Sequence, residues 1–216
     1  MDSDFSQKKL EKLFEKYKDP EGEDINPVGV MAFIQDLDLI PTDPILTVIA
    51  WNLKAKQMGI FTREQFVGGF KALGLDSIEK IKARLPQFRE ELKDAQKLAQ
   101  IYKYSFEFYK DEKNKKSIEI ELVDTILQIL IPEKPHIPKL RKFIMKQKQY
   151  KVLNLDQWIA IHDFSCTVGT DLSNYEEDEW PVLIEMYVEW LREGHTGDTE
   201  EEPEKKEEKK TNDMDI

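Results

Sequence analysis

The stretch that decides the fold lies near the C-terminus and reads Trp180-Pro181-Val182-Leu183-Ile184. The proline ring disfavours the α conformation for the residue before it, so we expect Trp180 to be extended. Proline is favoured in the first turn of a helix, and apolar side chains recur at helical spacing after Pro181. The stretch therefore predicts a helix over 181–193 that buries one apolar face.

The same helical periodicity extends over most of the chain. Signals for helix starts are present at Asp43-Pro44, at Ser77 and at the capping box formed by Thr62 and Gln65. Helical segments are predicted over 5–17, 30–39, 92–109, 120–131, 136–147 and 155–169. The pattern therefore predicts an all-α fold.

Four short extended segments interrupt this pattern, at Ile25, Phe61, Ile118 and Leu153. The first two are 36 residues apart and the last two are 35 residues apart. This spacing, with a helix on either side, resembles paired EF-hands, in which short strands from two loops pair. We therefore interpret the fold as two packed helical lobes built on degenerate EF-hand-like helix pairs.

The domain organisation follows from the two halves of the pattern. A single helical domain is predicted over residues 1–196, with sub-lobes at about 5–75 and 95–193 joined by a connecting helix over 82–97. The hydrophobic pattern stops after this domain, and the segment 197–216 holds nine acids and four lysines, a net charge of −5. Such a segment cannot bury enough apolar area to offset the entropy of ordering, so we expect a disordered charged tail.

Composition narrows the class of partner. The formal net charge of −11 argues against binding to nucleic acid, and it repels anionic membranes, although the tail carries nearly half of it. No apolar run reaches the roughly 18 residues of a membrane span. The single cysteine, Cys166, excludes an intrachain disulfide and fits a reducing compartment, so a cytoplasmic or nuclear localisation is expected.

Three motifs carry a more specific resemblance. They are Asp156-Gln157-Trp158, Ser173-Asn174-Tyr175-Glu176-Glu177 and Trp180-Pro181-Val182-Leu183-Ile184. In this order they resemble the signature of the defective-in-cullin-neddylation family, whose module is called the PONY (potentiating neddylation) domain. The resemblance covers about residues 5–192. It implies EF-hand-like helix pairs without metal, no cofactor, and a scaffold-type E3 component that promotes cullin neddylation without a catalytic residue of its own.

The resemblance implies an apolar pocket that takes the acetylated N-terminal methionine of the neddylation E2. An unacetylated amine would be charged and costly to desolvate, which gives a physical reason for dependence on the acetyl group. Taken without the resemblance, apolar residues at helical spacing are typical of a core. The family often has a glutamine at the position of Met58 and an aromatic residue at that of Ile126. The matching positions are Val30, Leu46, Ile49, Met58, Phe61, Phe108, Ile126 and Ile129.

The resemblance also implies an acid–small–acid patch that binds the basic winged-helix region at the C-terminus of a cullin. The matching positions are Asp156, Glu179 and Glu185. Glu179 replaces a small residue with a long acid, which either strengthens the attraction to a basic partner or blocks close packing. Taken alone, exposed acids are typical of a solvated surface. The nearby Trp158 and Trp180 favour an interface, because aromatic residues beside charges are typical interface anchors.

Two other functions stay open on the sequence. The first is an EF-hand-type calcium sensor or buffer, although the loop near Ile25 lacks a glycine and a terminal glutamate in the required register. The second is a thiol-dependent transferase, because His162 and Cys166 are four residues apart and share a helix face. A lone cysteine on a packed helix is expected to be buried and unreactive, which argues against this. The spacing of Cys166 and the three histidines does not suit zinc, so no metal is expected.

Overall fold

The computed structural model describes residues 5–110 and 115–194. These residues form ten α-helices, one π-helical turn and one two-stranded sheet, so the predicted all-α fold is confirmed. The charged tail predicted over 197–216 lies outside the described residues.

The first half of the described chain forms five α-helices and a π-helical turn. They are α1 (Gln7–Tyr17), α2 (Pro27–Asp36), α3 (Ile45–Asn52), a π-helical turn (Glu64–Gly68), α4 (Gly69–Ala72) and α5 (Ile78–Lys93). The predicted capping box is confirmed, since Thr62 N donates to Gln65 Oε1 at 3.0 Å and Gln65 N donates to Thr62 Oγ1 at 3.2 Å. Ser77 caps α5 as predicted, because its Oγ accepts a hydrogen bond from Lys80 N.

The second half adds five helices and the sheet. They are α6 (Ala95–Tyr109), β1 (Ser117–Glu119), α7 (Ile120–Leu130), α8 (Ile137–Lys146), β2 (Val152–Asn154), α9 (Leu155–Thr167) and α10 (Val182–Arg192). The connecting helix predicted over 82–97 is not continuous. Helix α5 ends before Asp94. The Asp94 carboxylate accepts a hydrogen bond from Lys97 N at 2.8 Å and thereby caps the next helix, α6.

The four predicted extended segments pair two by two. Ile25 and Phe61 form an isolated antiparallel bridge with N–H to O distances of 2.9 and 3.1 Å. Ile118 and Leu153 are opposite each other at the centre of the β1–β2 ladder. The pairing predicted from the spacing is therefore confirmed, and the likeness to EF-hands stays an interpretation.

Each half of the chain has its own hydrophobic core. The first core is aromatic: the ring of Phe66 lies 4.9 Å from that of Phe70 and 5.4 Å from that of Phe33. The close packing of α1 on α2 requires Gly29, since a Cβ there would lie 2.0 Å from the carbonyl oxygen of Tyr17. The first lobe is therefore held together by ring packing and by this close approach.

The second core is centred on Trp158, which is fully buried. Its indole stacks on the ring of Tyr102 at 4.2 Å, its Nε1 donates to the Tyr102 carbonyl at 2.9 Å, and Tyr102 Oη donates to the Trp158 carbonyl at 3.0 Å. Helix α6 contributes to both cores, because Ile101 and Phe108 join the first and Tyr102 and Phe106 join the second. The two lobes therefore share α6 as a common wall.

Candidate functional site

An apolar cavity of about 350 Å³ opens between the two lobes. Its walls come from α2, α3 and the loop 58–61 of the first lobe, from the end of α6, and from one face of α7. None of the described residues that line it is charged, and its volume lies in the range of about 300–1,000 Å³ typical of ligand sites. The lining residues are Pro27, Val30, Met31, Phe33, Ile34, Pro41, Leu46, Ile49, Ala50, Met58, Gly59, Phe61, Phe108, Tyr109, Leu122, Thr125 and Ile129.

Seven of the eight residues predicted for the pocket line this one cavity. They are Val30, Leu46, Ile49, Met58, Phe61, Phe108 and Ile129. Ile49 is almost fully buried, and Met58 is 50% exposed at the mouth. The resemblance therefore identified seven of the seventeen residues that line the cavity, from its buried lining to its rim.

The eighth residue, Ile126, does not line the cavity. It is fully buried in the second core, because α7 carries two apolar faces about 100° apart. Leu122, Thr125 and Ile129 follow one another at helical spacing along the face that meets the cavity. Of this face, sequence reasoning identified Ile129 but missed Leu122 and the polar Thr125.

The wall around Met58 is fixed by backbone geometry. Met58 N donates to the carbonyl oxygen of Phe108 at 3.0 Å, which ties the loop to the end of α6. Gly59 has a φ of +79°, a conformation that glycine adopts without strain. Phe61 then pairs with Ile25, so the loop is anchored at both ends. This wall of the cavity is therefore formed before any ligand binds.

Buried hydroxyl groups near the cavity are neutral and hydrogen-bonded. Tyr109, which lines the cavity, has its Oη 2.7 Å from Thr47 Oγ1, and burial raises the pKa of Tyr109. Tyr104 Oη donates to the carbonyl of Ala55 at 2.7 Å, and burial raises its pKa as well. The surroundings of the cavity therefore carry no negative charge from these phenols at neutral pH.

Exposed apolar residues extend the surface around the mouth. Val28 is 77% exposed and Met31 is 40% exposed, three residues apart on α2. Ile40, in the loop after α2, is 64% exposed and precedes Pro41 of the cavity lining. These residues were not predicted for the site, although a proline-started helix with apolar residues on its outer face was a visible signal.

The three predicted patch acids occupy different positions relative to α9 and α10. Asp156 is exposed in the first turn of α9, Glu179 is exposed just before Trp180, and Glu185 is half-buried in the first turn of α10. The ring of Trp180 packs on Phe164 at 5.2 Å, about 12 Å along α9 from Asp156. The structure therefore places Glu179 and Glu185 near the start of α10 and Asp156 at the far end of α9.

Glu185 belongs to a larger acidic depression of about 200 Å³. Its one cation among the described lining residues is Arg192, which pairs with Glu177 at 3.1 Å and lies over the ring of Tyr175. Burial raises the pKa of Tyr175, and the charge of Glu185 adds to this effect. The lining residues are Tyr175, Glu177, Asp178, Glu185, Val188, Glu189 and Arg192. Three of these acids, at 177, 178 and 189, were not predicted, although 177 and 178 directly precede Glu179 and 189 follows Glu185 by one helical turn.

The Ser-Asn-Tyr motif has a structural role in this region. Asn174 Oδ1 accepts a hydrogen bond from Gly169 N, and its Nδ2 donates to the carbonyl of Thr167, each at 2.8 Å. Asp171 Oδ1 accepts hydrogen bonds from Ser173 N and Oγ. These bonds close the loop after α9, which carries the acids that precede α10.

The histidine–cysteine pair is formed as its spacing predicts. Cys166 Sγ lies 3.7 Å from His162 Nε2, and His162 Nδ1 lies 3.2 Å from a carboxylate oxygen of Asp163. The expectation of a buried cysteine is wrong, because Cys166 is exposed. The buried face of α9 is formed by residues such as Trp158, and Cys166 points away from it.

No group of three or more His, Cys, Asp or Glu side chains among residues 5–110 and 115–194 could hold a metal ion. In the first loop, the carboxylate of Asp19 instead accepts hydrogen bonds from Glu21 N and Asn26 Nδ2. No helix in the same ranges combines the length and the apolar character needed to cross a membrane.

Comparison with known proteins defines the class. Residues 80–190 match a family model described as cullin binding. DCN1-like protein 5 of Rattus norvegicus is 37% identical over 192 residues, which cover 88% of this chain and 80% of that protein. DCN1-like protein 4 of Danio rerio is 37% identical over 78% of this chain and 60% of its own length. DCN1-like protein 2 of Dictyostelium discoideum is 36% identical over 79% of this chain and 64% of its own length.

The fold, the cavity and these matches together define an all-helical protein of the cullin-binding class. Within that class, the chain belongs to the defective-in-cullin-neddylation family of DCN1-like, PONY-domain proteins.

Proposed function

We propose that this chain promotes cullin neddylation as a non-covalent scaffold. The apolar cavity binds the acetylated N-terminal methionine of the neddylation E2, and the acids around α9 and α10 bind the C-terminal winged-helix region of a cullin. The observation that carries this proposal is the cavity between the lobes, which is preformed and lined by uncharged residues. Membership of a family whose model is described as cullin binding supports the second partner.

The uncharged lining favours an acetylated terminus over a free amine. A free amine enters as a cation, and no described residue of the lining offers a carboxylate to pair with it. Desolvating an unpaired charge costs several kcal/mol, whereas an acetylated amide is neutral and needs only hydrogen bonds. The methionine side chain gains free energy by burial against walls such as Ile49 and Phe108.

The acidic depression is suited to a basic partner. Four of its lining residues are acids, and Arg192 is already paired with Glu177. Within the described ranges, the carboxylates of Asp156, Glu179 and Glu185 take part in no hydrogen bond or ion pair. An acidic surface of this kind steers a basic domain toward it and sets its orientation more than its affinity.

Two bound partners on one rigid body give catalysis by proximity. The lobes share α6, so the cavity and the acidic surface keep a fixed relation. Holding the E2 and the cullin together reduces the freedom of the E2 thioester relative to the acceptor lysine. Two modest affinities can then produce a large effect through effective concentration.

The experiment that tests this proposal is a single-turnover transfer of the modifier from the charged E2 to a cullin C-terminal fragment. The rate is measured with and without this protein, using the acetylated and the free N-terminal forms of the E2. The proposal predicts acceleration with the acetylated form only. Equal rates with and without the protein would contradict it.

A matched pair of methionine variants shows whether the cavity is responsible. Met58 and Met145 are each 50% exposed, but only Met58 lines the cavity. Met58→Glu places a charge at the mouth and should abolish the acceleration, while Met145→Glu should retain it. Equal loss in both variants would remove the assignment of the cavity.

A second candidate function rests on the Cys166–His162 contact of 3.7 Å. In a thiol transferase, Cys166 Sγ would attack the E2 thioester carbonyl, expel the E2 thiol and form a new thioester, with His162 taking the thiol proton. Cys166→Ala separates the candidates. The scaffold predicts an unchanged transfer rate, and a thioester trapped on Cys166 in the unaltered chain would favour the transferase.

A further inference from the structure

One helix has a charge opposite to that of the protein as a whole. The formal net charge of the chain is −11, yet the segment 134–151 holds seven lysines and arginines and no acid. Helix α8 lies at the centre of this segment. Neither the cavity nor the acidic surface of the proposed function uses it.

The positive charges of α8 are concentrated on its outer face. Lys139, Lys142 and Lys146 are exposed and follow one another at spacings of three and four residues, so they form one stripe. Met145 is exposed beside them, and the opposite face of α8, with Leu140 among its residues, is buried. Arg141 lies on the same helix, and its guanidinium is bound to both carboxylate oxygens of Asp124.

The chain leaves the described structure close to α8. Trp190 of α10 packs on Phe143 of α8 with the ring centroids 5.9 Å apart. Helix α10 ends at Arg192, and the description ends at Gly194. Whatever follows Gly194 is therefore tethered beside α8.

The residues that follow are strongly acidic. The segment 198–204 reads Asp-Thr-Glu-Glu-Glu-Pro-Glu, with five acids and no lysine or arginine. Ten residues separate Gly194 from Glu204, a reach of at most about 35 Å. Helix α8 has ten residues and is about 15 Å long, so the acidic segment can reach its whole length.

We propose that the acidic segment 198–204 docks on the exposed basic face of α8 and covers it against other polyanions. Single exposed ion pairs contribute little, but several opposite charges act together here, and the tether supplies a high effective concentration. The docked form is electrostatic, so it weakens as salt rises above physiological ionic strength. The docked segment would reduce the binding of nucleic acid or anionic lipid to this basic helix.

The test compares amide chemical shifts in the full-length chain. The variant Glu200→Gln, Glu201→Gln, Glu202→Gln removes three charges from the segment. It should shift the amides of residues 139–146, and 0.5 M sodium chloride should produce the same shifts in the unaltered chain. The control Glu207→Gln, Glu208→Gln, Asp213→Asn removes three charges further along and should leave those amides in place.

The reciprocal variant Lys139→Gln, Lys142→Gln, Lys146→Gln should shift the amides of 198–204. Unmoved α8 amides, or equal shifts in variant and control, would overturn the proposal. Shifts that depend on protein concentration would assign the contact to a second copy of the chain and would overturn docking within one molecule.

A polyanion probe tests the covering role separately. A fluorescent heparin oligosaccharide should bind the variant with the neutralised segment several-fold more tightly than the unaltered chain, and the gain should disappear when the three lysines are also replaced. Equal affinity for the variant and the unaltered chain would show that the segment does not cover this face.

Discussion

The two lobes share a local structural feature, a β-bridge residue followed by a capped helix, but differ in what packs around it. In the first lobe, Ile25 pairs with Phe61, and the next residue, Asn26, caps α2 through a hydrogen bond from Gly29 N at 3.0 Å. In the second lobe, Leu153 pairs with Ile118, and Asn154 caps α9 with a complete capping box. Each unit is a bridge residue followed at once by a capped helix.

The two lobes differ in what surrounds the bridge. Ile118 is buried in a closed core, whereas Phe61, which holds the same place in the first bridge, lines the cavity. The cavity is closed on its far side by Leu122, Thr125 and Ile129 of α7, which belongs to the other lobe. The cavity therefore forms where the two lobes meet, and each lobe contributes one face to its lining.

The largest expected effect concerns the closed core. Trp158→Ala removes the stacked indole and the hydrogen bond that its Nε1 donates to the Tyr102 carbonyl, and it should lower the free energy of unfolding by about 3–5 kcal/mol. Urea denaturation measures this change. A loss of stability below about 1 kcal/mol would mean that the core around Trp158 is not tightly packed.

A pair of glycine variants sharpens the comparison further. Gly59 and Gly74 have φ values of +79° and +71°, and neither substitution to alanine meets an atom closer than 3.6 Å. Each variant should therefore lose a similar amount of stability, about 1–2 kcal/mol from the backbone conformation. Only Gly59→Ala should also weaken binding of the E2 peptide, since Gly59 holds the wall of the cavity. Equal peptide affinities, measured by fluorescence anisotropy, would show that the wall tolerates this change.

The acidic surface should give a smaller effect on binding. Asp156→Asn with Glu185→Gln should weaken cullin binding by about 1 kcal/mol and reduce its salt dependence, mainly through the association rate. Glu64→Gln with Glu133→Gln removes the same charge from exposed positions outside the proposed patch. Surface plasmon resonance at several salt concentrations compares the two variants. If both behave alike, net charge alone explains the binding.

The smallest effect concerns pH. His136 Nε2 lies 3.1 Å from the carbonyl oxygen of Gly169 and its Nδ1 lies 3.2 Å from Tyr187 Oη, and burial lowers the pKa of His136 below its usual 6.5. The unfolded chain therefore takes up a proton at this histidine before the folded protein does. Stability should fall as pH drops below about 6.5 until the folded pKa is reached, and His136 should contribute no pH dependence above that range.

The control for the pH effect is His136→Gln. The unfolding free energy should depend less steeply on pH in this variant than in the unaltered chain. The range to measure is about pH 7.5 to about pH 5.5, because it brackets the usual histidine pKa. An identical slope in both proteins would assign the pH dependence to other groups.

The fold was predictable because its signals are local. The Thr62–Gln65 capping box and the helix started by Ser77 depend on neighbours in sequence, and each bridge residue was recognised from the helices on either side of it. Helix ends were less predictable: Pro181 proves to be the cap before α10, and Asp94 breaks a helix that periodicity alone would continue. Both differences arise from backbone conformation at a single residue.

The candidate site was only partly predictable. Apolar periodicity with the family resemblance identified positions such as Leu46 and Ile129, but it could not say which of two apolar faces of α7 meets the cavity, so Ile126 was included and Thr125 was not. The cluster around Glu185 depends on the closed loop after α9, which brings distant acids together. The approach of this loop to α10 is set by tertiary structure, whereas the i, i+4 spacing of Glu185 and Glu189 was visible in the sequence.

The measurement that tests the central claim most directly is the affinity of this protein for the N-terminal peptide of the neddylation E2 in two forms, acetylated and free. Isothermal titration with the unaltered chain suffices. An uncharged cavity predicts that the acetylated peptide binds about a hundredfold more tightly or better, since an unpaired amine must be desolvated. Equal affinity for the two peptides would contradict the account.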